Sequence, residues 1–175
     1  MSDFGCYSRV MRSITLIAHN IRSTHNVGSL LRSSDGFGIE RVIFTGYTPY
    51  PQQHNDTRLP HIYRKLTAAI AKTALGAEKT VSNNYEDDIT ATLQNLKAQG
   101  YTIVALEQSN DSVVLTTYQP PQKIALLIGE EVHGITPELL ALCDTTIEIP
   151  MYGGKESFNV SVATGIALFR LRTAE

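Results

Sequence analysis

Short apolar runs alternate with amphipathic stretches along this chain, and the two periods predict its elements. SITLIAH at 13–19 reads as a strand, and NVGSLLRSSDGFG at 26–38 as a helix. Asn26 is placed to cap that helix, and Gly36 or Gly38 to end it. Val27, Leu30, Leu31 and Phe37 form its apolar stripe. RVIFTG at 41–46 is a second strand, followed by a loop at 46–60 with three prolines and little periodicity. Helices are expected at 66–76, stopped by Gly76, and at 86–100, with acids in the first turn. Strands follow at 101–108 and 123–131, the second apolar enough for a sheet centre. A helix at 136–143, a strand at 145–150 and a closing helix at 159–175 complete the series. The closing helix is apolar nearly all round, so it needs cover on more than one side, and a partner subunit is a natural cover.

Strands alternating with helices predict an α/β domain with a mainly parallel sheet flanked by helices. At 175 residues, one domain over 1–175 is expected, without an appended RNA-binding domain. Apolar residues at 42% and charged residues at 18% fit an ordinary globular chain and exclude a disordered or collagen-like one. No secretory signal or membrane-spanning run is visible, and Cys6 and Cys143 are too few for a disulfide framework or a four-cysteine zinc site. A cytoplasmic, reduced protein is the simplest expectation. The net charge of −2 argues against a generic polycation. Charge is uneven, however. Residues 1–34 set Arg9, Arg12, Arg22 and Arg32 against Asp3 alone, and 54–80 set Arg58, Arg64, Lys65, Lys72 and Lys79 against Asp56 and Glu78. A modest basic face results if these regions meet.

Phosphate signatures are weak. No G-x-G-x-x-G follows the first strand, and GGKES at 153–157 lacks P-loop spacing. The histidines show no i, i+4 metal spacing, and no G-x-S-x-G elbow is present. Three clusters carry the candidate chemistry. In N26-V-G-S-L-L-R32, Arg32 lies nearly opposite the apolar stripe, either solvated or holding a phosphate. In L127-I-G-E-E-V-H-G134, a strand ends at Gly129 and meets Glu130 and Glu131, where open α/β sheets place ligand clefts. In I147-E-I-P-M-Y-G-G-K-E-S-F-N-V-S-V-A, a strand runs through a Gly-Gly loop into a helix capped by Ser157 or Asn159.

Taken together and in this order, N-x-x-x-x-x-R, G-x-E-x-x-G and I-P-M-x-G-x-x-E-S-x-N-V-S-V-A resemble the three motifs of the SpoU/TrmH branch of SPOUT RNA methyltransferases. The resemblance runs from about Ile14 to Leu171 and includes KTALGAEK at 72–79 and ALEQS at 105–109. It implies an α/β fold whose C-terminal segment makes a deep trefoil knot, an exception to ordinary connection rules that periodicity could not reveal. It also implies a homodimer with active sites at the interface. S-adenosylmethionine would be the cofactor and S-adenosylhomocysteine the product, with no metal, and the methyl acceptor a ribose 2′-hydroxyl of tRNA or rRNA.

By motif position the resemblance assigns Arg32, Asn26, Glu131, Ser157 and Asn159 to catalysis. Leu106, Gly129, Ile149, Met151 and Phe158 fall where the family surrounds its cofactor. Arginine stays protonated, so the expected work of Arg32 is orientation and charge stabilisation rather than proton removal. Glu130 departs from the pattern, since many relatives carry a neutral residue there, and it is expected to point to water. RNA would be gripped by the dimer face, including Arg9, Arg12, Arg58, Arg64 and Lys65, with the loop at 46–60 as a lid or RNA contact. A compact chain favours tRNA over rRNA. The alternatives are a non-catalytic RNA-binding relative, a SPOUT methyltransferase acting on a base nitrogen, and, least supported, a flavodoxin-like enzyme.

Overall fold

The computed structural model describes residues 11–130 and 133–174. Its elements run β1 (Ser13–His19), α1 (Thr24–Gly36), β2 (Arg41–Thr45), α2 (Pro60–Ala74), α3 (Ala77–Thr80), β3 (Asn83–Glu86) and α4 (Ile89–Ala98). The series continues with β4 (Thr102–Leu106), β5 (Val113–Val114), β6 (Lys123–Ile128), α5 (Pro137–Leu140), β7 (Thr145–Glu148) and α6 (Val160–Thr173). The strands form one sheet in the order β3-β2-β1-β6-β4-β7-β5, and every strand pairing in it is parallel.

Parallel strands put all their carboxyl ends on one edge. β1 and β6 lie at the centre, buried on both faces, which is why they read as unbroken apolar runs. Leu16, Val42, Phe44, Val104 and Leu126 face a layer built from Leu30 and Leu31 of α1, Ile70 of α2, and Leu168 and Leu171 of α6. Ile17, Ile43, Ile103, Ala125 and Leu127 face the other side, covered by Leu93 and Leu96 of α4 and Leu139 of α5.

Several boundaries differ from the sequence expectation for identifiable reasons. Asn26 is not the cap of α1; Ser23 is, its hydroxyl accepting from the Asn26 amide, so the helix begins at Thr24. α2 begins at Pro60, six residues earlier than its apolar run, because proline at the first position needs no N–H partner. β3 and β5 were not expected. The first is the polar edge segment NNYE and the second is only two residues long, so neither carries an apolar alternation.

α1 and α2 approach closely at Gly28, where an added Cβ would collide with Thr73 Oγ1 and the Ile70 carbonyl of α2. Gly28→Ala is therefore expected to destabilise the protein by ~1–3 kcal/mol through overpacking, despite alanine's better helix propensity. A thermal melt checks this, with a fall of several degrees expected for a chain of this size.

Candidate active site

The carboxyl edge of the sheet carries a cleft of about 610 Å³, within the ~300–1,000 Å³ usual for small-molecule sites. Its walls come from the ends of β4, β6 and β7 and from the start of α6: Leu106, Gly129, Ile149, Phe158 and Val160 supply apolar surface and backbone. The polar lining includes Glu107, Gln108, Glu148, Ser157 and Asn159. Gly129 makes the cleft possible at its base, because a Cβ there would press into the Gly134 carbonyl.

Asn159 caps α6, its Oδ1 accepting from the Ser161 amide at 2.9 Å and the Ser161 hydroxyl at 2.7 Å. Its Nδ2 donates to Asn26 Oδ1 at 3.2 Å. Residues 133 positions apart thus join the start of α1 to the start of α6. The two helices then run side by side: Gly165 faces Ser33, and the rings of Phe37 and Phe169 sit 6.2 Å apart. Arg172 closes the pair by donating to the Phe37 and Gly38 carbonyls.

The loop after β1 is locked to the loop after β2. Asn20 takes a left-handed φ of 58°, and its Oδ1 accepts from the Tyr47 amide at 3.2 Å. The Thr48 hydroxyl accepts from the Ile21 amide and donates to the Ala18 carbonyl. Further along, Arg58 lies 3.6 Å over the Tyr50 ring, which stacks on Tyr85 at 4.4 Å. Arg58 also pairs with Asp56, whose side chain is only 3% exposed, and this ion pair holds the Asp56 carboxyl well below its ordinary range. Loop 46–60 is therefore braced by contacts to the loop after β1 and within itself.

Glu130 does not point freely to water. Its side chain is 19% exposed; Oε2 lies 3.1 Å from His133 Nδ1 and Oε1 3.9 Å from Arg22. The hydrogen bond with His133 holds its carboxyl below the usual carboxylate range, assisted by the Tyr47 hydroxyl and the Arg22 charge. A carboxylate that finds such partners has no reason to extend into solvent.

The expected site residues are gathered only in part. Leu106, Gly129, Ile149, Phe158, Ser157 and Asn159 line the cleft, and Asn26 reaches it through Asn159. Met151 is half-buried beside it but is not in its lining. Arg32 is exposed on the outward side of α1 and does not line the cleft of its own chain. Glu131 and Arg9 lie outside the described residues. Arg12 sits at the opposite, amino edge of the sheet, its guanidinium donating to the Pro120 and Ala174 carbonyls. Arg58 is engaged within its own loop, leaving Arg64 and Lys65 as exposed cations on α2. Sequence reasoning missed Glu107, Gln108 and Glu148 in the lining. The only available signal was their position at or just after predicted strand ends.

Residues 13–169 match the family model described as the SpoU rRNA methylase family. The chain belongs to that family. It is 30% identical over 158 residues to the tRNA (guanosine(18)-2'-O)-methyltransferase of Aquifex aeolicus, covering 90% of this chain and 68% of that protein. It is 33% identical over 156 residues to the 23S rRNA (guanosine-2'-O-)-methyltransferase RlmB of Shewanella oneidensis, covering 88% of this chain and 56% of the relative. Against that rRNA relative, the chain thus spans little more than half the length. Among solved structures, the A. aeolicus TrmH/SpoU tRNA modifying enzyme matches with a TM-score of 0.75 at 26% identity, covering 93% of this chain and 77% of that one. The AdoMet-bound rRNA methyltransferase of Sinorhizobium meliloti shares the fold, with a TM-score of 0.75 at 23% identity over 93% of this chain and 56% of that one.

Proposed function

We propose that this protein transfers a methyl group from S-adenosylmethionine to a ribose 2′-hydroxyl of RNA, working as a homodimer. The observation that carries the reading is the joining of Asn26 to Asn159 at the mouth of a cleft lined by Leu106, Gly129, Ile149 and Phe158. The cleft suits the cofactor: apolar side chains for a flat purine, glycine backbone that permits close approach, and carboxylates that favour a cationic ligand. When bound, S-adenosylmethionine supplies a methyl group already made electrophilic by its sulfonium.

The chain's own residues then have an orientation task, bringing the ribose oxygen into line with that methyl. Asn26 and Asn159 brace the mouth of the cleft, and Ser157 lines it within reach of a bound ligand. Arg32 holds an RNA phosphate bidentately and stabilises the charge that develops on the 2′-oxygen. Because Arg32 is exposed and is no part of its own chain's cleft lining, the partner subunit's cleft is where it acts in this reading.

Dimerisation is supported by α6. Val162, Ile166 and Phe169, spaced i, i+4, i+7, are 49%, 39% and 57% exposed and form one apolar stripe. A trefoil knot in the path between β7 and α6 rests on the family resemblance alone. The acceptor is tRNA or rRNA, the two substrates named for its relatives. A cytoplasmic enzyme fits such substrates.

RNA contact is assigned to the exposed Arg64 and Lys65. Each phosphate neutralised releases counterions, so RNA affinity should fall steeply with added salt. A filter-binding titration from low to physiological ionic strength checks this, and an affinity indifferent to salt would refute charge-based docking. A base-nitrogen methyltransferase is separated from this reading by which nucleoside carries the methyl after digestion.

A further inference from the structure

Both loops that close the cofactor cleft hang from two consecutive residues just beyond β4. Glu107 Oε2 accepts from the Ile135 amide at 2.9 Å, and its Oε1 accepts from the Gln108 amide at 2.9 Å. Gln108 Nε2 in turn donates to the Glu156 carbonyl at 3.0 Å. The first bond holds the turn at Gly134 and Ile135, which packs on Gly129 and pairs with Glu130; the second holds the 151–159 loop, which carries Ser157 and Phe158.

The packing around Glu107 shows that its seat is built. Gly134 has a φ of +68°, and a Cβ on it would occupy the position of the Glu107 carboxylate. A Cβ on Gly129 would in turn collide with the Gly134 carbonyl. Gly129, Gly134 and the carboxylate are thus stacked in three layers, with no room for a methyl group between adjacent ones. The spacing of the two glycines in G-E-E-V-H-G is explained by this stack. The turn itself is closed by reciprocal amide bonds between Glu130 and Gly134, at 3.2 and 3.0 Å.

We propose that Glu107 and Gln108 are positioning residues, a double latch that sets the two loops at the spacing the cofactor requires. The proposal rests on the S-adenosylmethionine reading of the cleft. A carboxylate is suited to the first latch, because it can accept from two backbone amides at once while donating nothing. Glutamine suits the second, because the Glu156 carbonyl needs a donor. The exchange Glu107→Gln keeps the shape but turns one acceptor into a donor facing an N–H, so at least one of the two amide bonds is lost.

The test is titration calorimetry with S-adenosylhomocysteine on the full chain, beside hydrogen exchange of the Ile135 and residue 108 amides and a thermal melt. Glu107→Ala should weaken binding at least about tenfold, Glu107→Gln by a smaller factor, and Gln108→Ala about threefold to tenfold. Protection of the Ile135 amide, the residue 108 amide or both should fall in each Glu107 variant but of neither in Gln108→Ala, a site-specific pattern that a general loss of stability would not give. Should Glu107→Ala fail to fold, Glu107→Gln and Gln108→Ala carry the comparison. Folded variants that bind as tightly as the parent, or Ile135 and residue 108 amides both as protected in Glu107→Gln as in the parent, would overturn the latch. A parent protein that binds no S-adenosylhomocysteine would instead overturn the cofactor reading, and the latch with it; the two failures are distinguished by whether the parent binds.

Discussion

Arg32→Ala is expected to lower methyl-transfer turnover at least about 100-fold while leaving S-adenosylhomocysteine affinity within about twofold of the parent. Removing one preorganised group that stabilises a developing oxyanion typically raises the barrier by ~2.7–4 kcal/mol, which is the stated loss in rate. The fold should not suffer, because Arg32 is exposed on the side of α1 away from Val27, Leu30 and Leu31. Cofactor affinity should not suffer either, because Arg32 is no part of the cleft lining. Arg32→Lys should recover little, since an ammonium cannot hold a phosphate through two parallel bonds. Single-turnover kinetics with saturating cofactor, paired with calorimetry, measures both quantities. Turnover within a few-fold of the parent would remove Arg32 from the chemistry.

The double substitution Ile166→Glu with Phe169→Glu is expected to give a folded monomer with turnover reduced by about 100-fold or more. The core face of α6 consists of Thr164, Ala167, Leu168 and Leu171, and these are untouched. Ile166 and Phe169 lie on the other face; the carboxylates cost the free chain the Phe169 ring contact with Phe37, about 0.5–1.5 kcal/mol, but would meet their own copies across the two-fold axis of the proposed dimer. Activity should fall with dimerisation on the proposed reading, in which Arg32, no part of its own chain's cleft lining, serves the partner's cleft. Six residues of helix place Arg32 about 9 Å further along α1 than Asn26, and it faces outward. Mixing two inactive chains separates this from a purely structural effect. Arg32→Ala and Asn159→Ala subunits, refolded together, should regain activity, because each mixed dimer then holds one cleft with an intact Asn159 and an intact Arg32 across from it. No recovery in mixed dimers would mean that Arg32 acts within its own chain.

What the sequence made legible follows from how the information is carried. β1 and β6 were read correctly because strands buried on both faces must be apolar throughout, and α6 because Asn159 has a capping side chain and an apolar run behind it. β3 and β5 were not legible: an edge strand of NNYE or of two valines is defined by backbone pairing to a neighbour, not by its own side-chain pattern. The joining of Asn26 to Asn159 was foreseen only through motif resemblance, since no local rule connects residues so far apart. Arg12 and Arg58 show the limit of charge counting. Each is basic in the sequence, yet one guanidinium ties the amino edge of the sheet to the end of α6 and the other folds its own loop around Asp56 and Tyr50. Glu107 and Gln108 were overlooked because their partners, Ile135 and Glu156, are fixed only by tertiary structure.

The central claim is a ribose methylation, and the product nucleoside tests it most directly. Purified protein is incubated with total RNA and S-adenosylmethionine carrying a labelled methyl group, and the RNA is digested to nucleosides and resolved by mass. The label should appear in a 2′-O-methylated nucleoside, with the added mass on the sugar fragment, and should vanish with Arg32→Ala. Label on a base fragment, or no label in RNA from a protein shown to bind S-adenosylhomocysteine, would contradict the account.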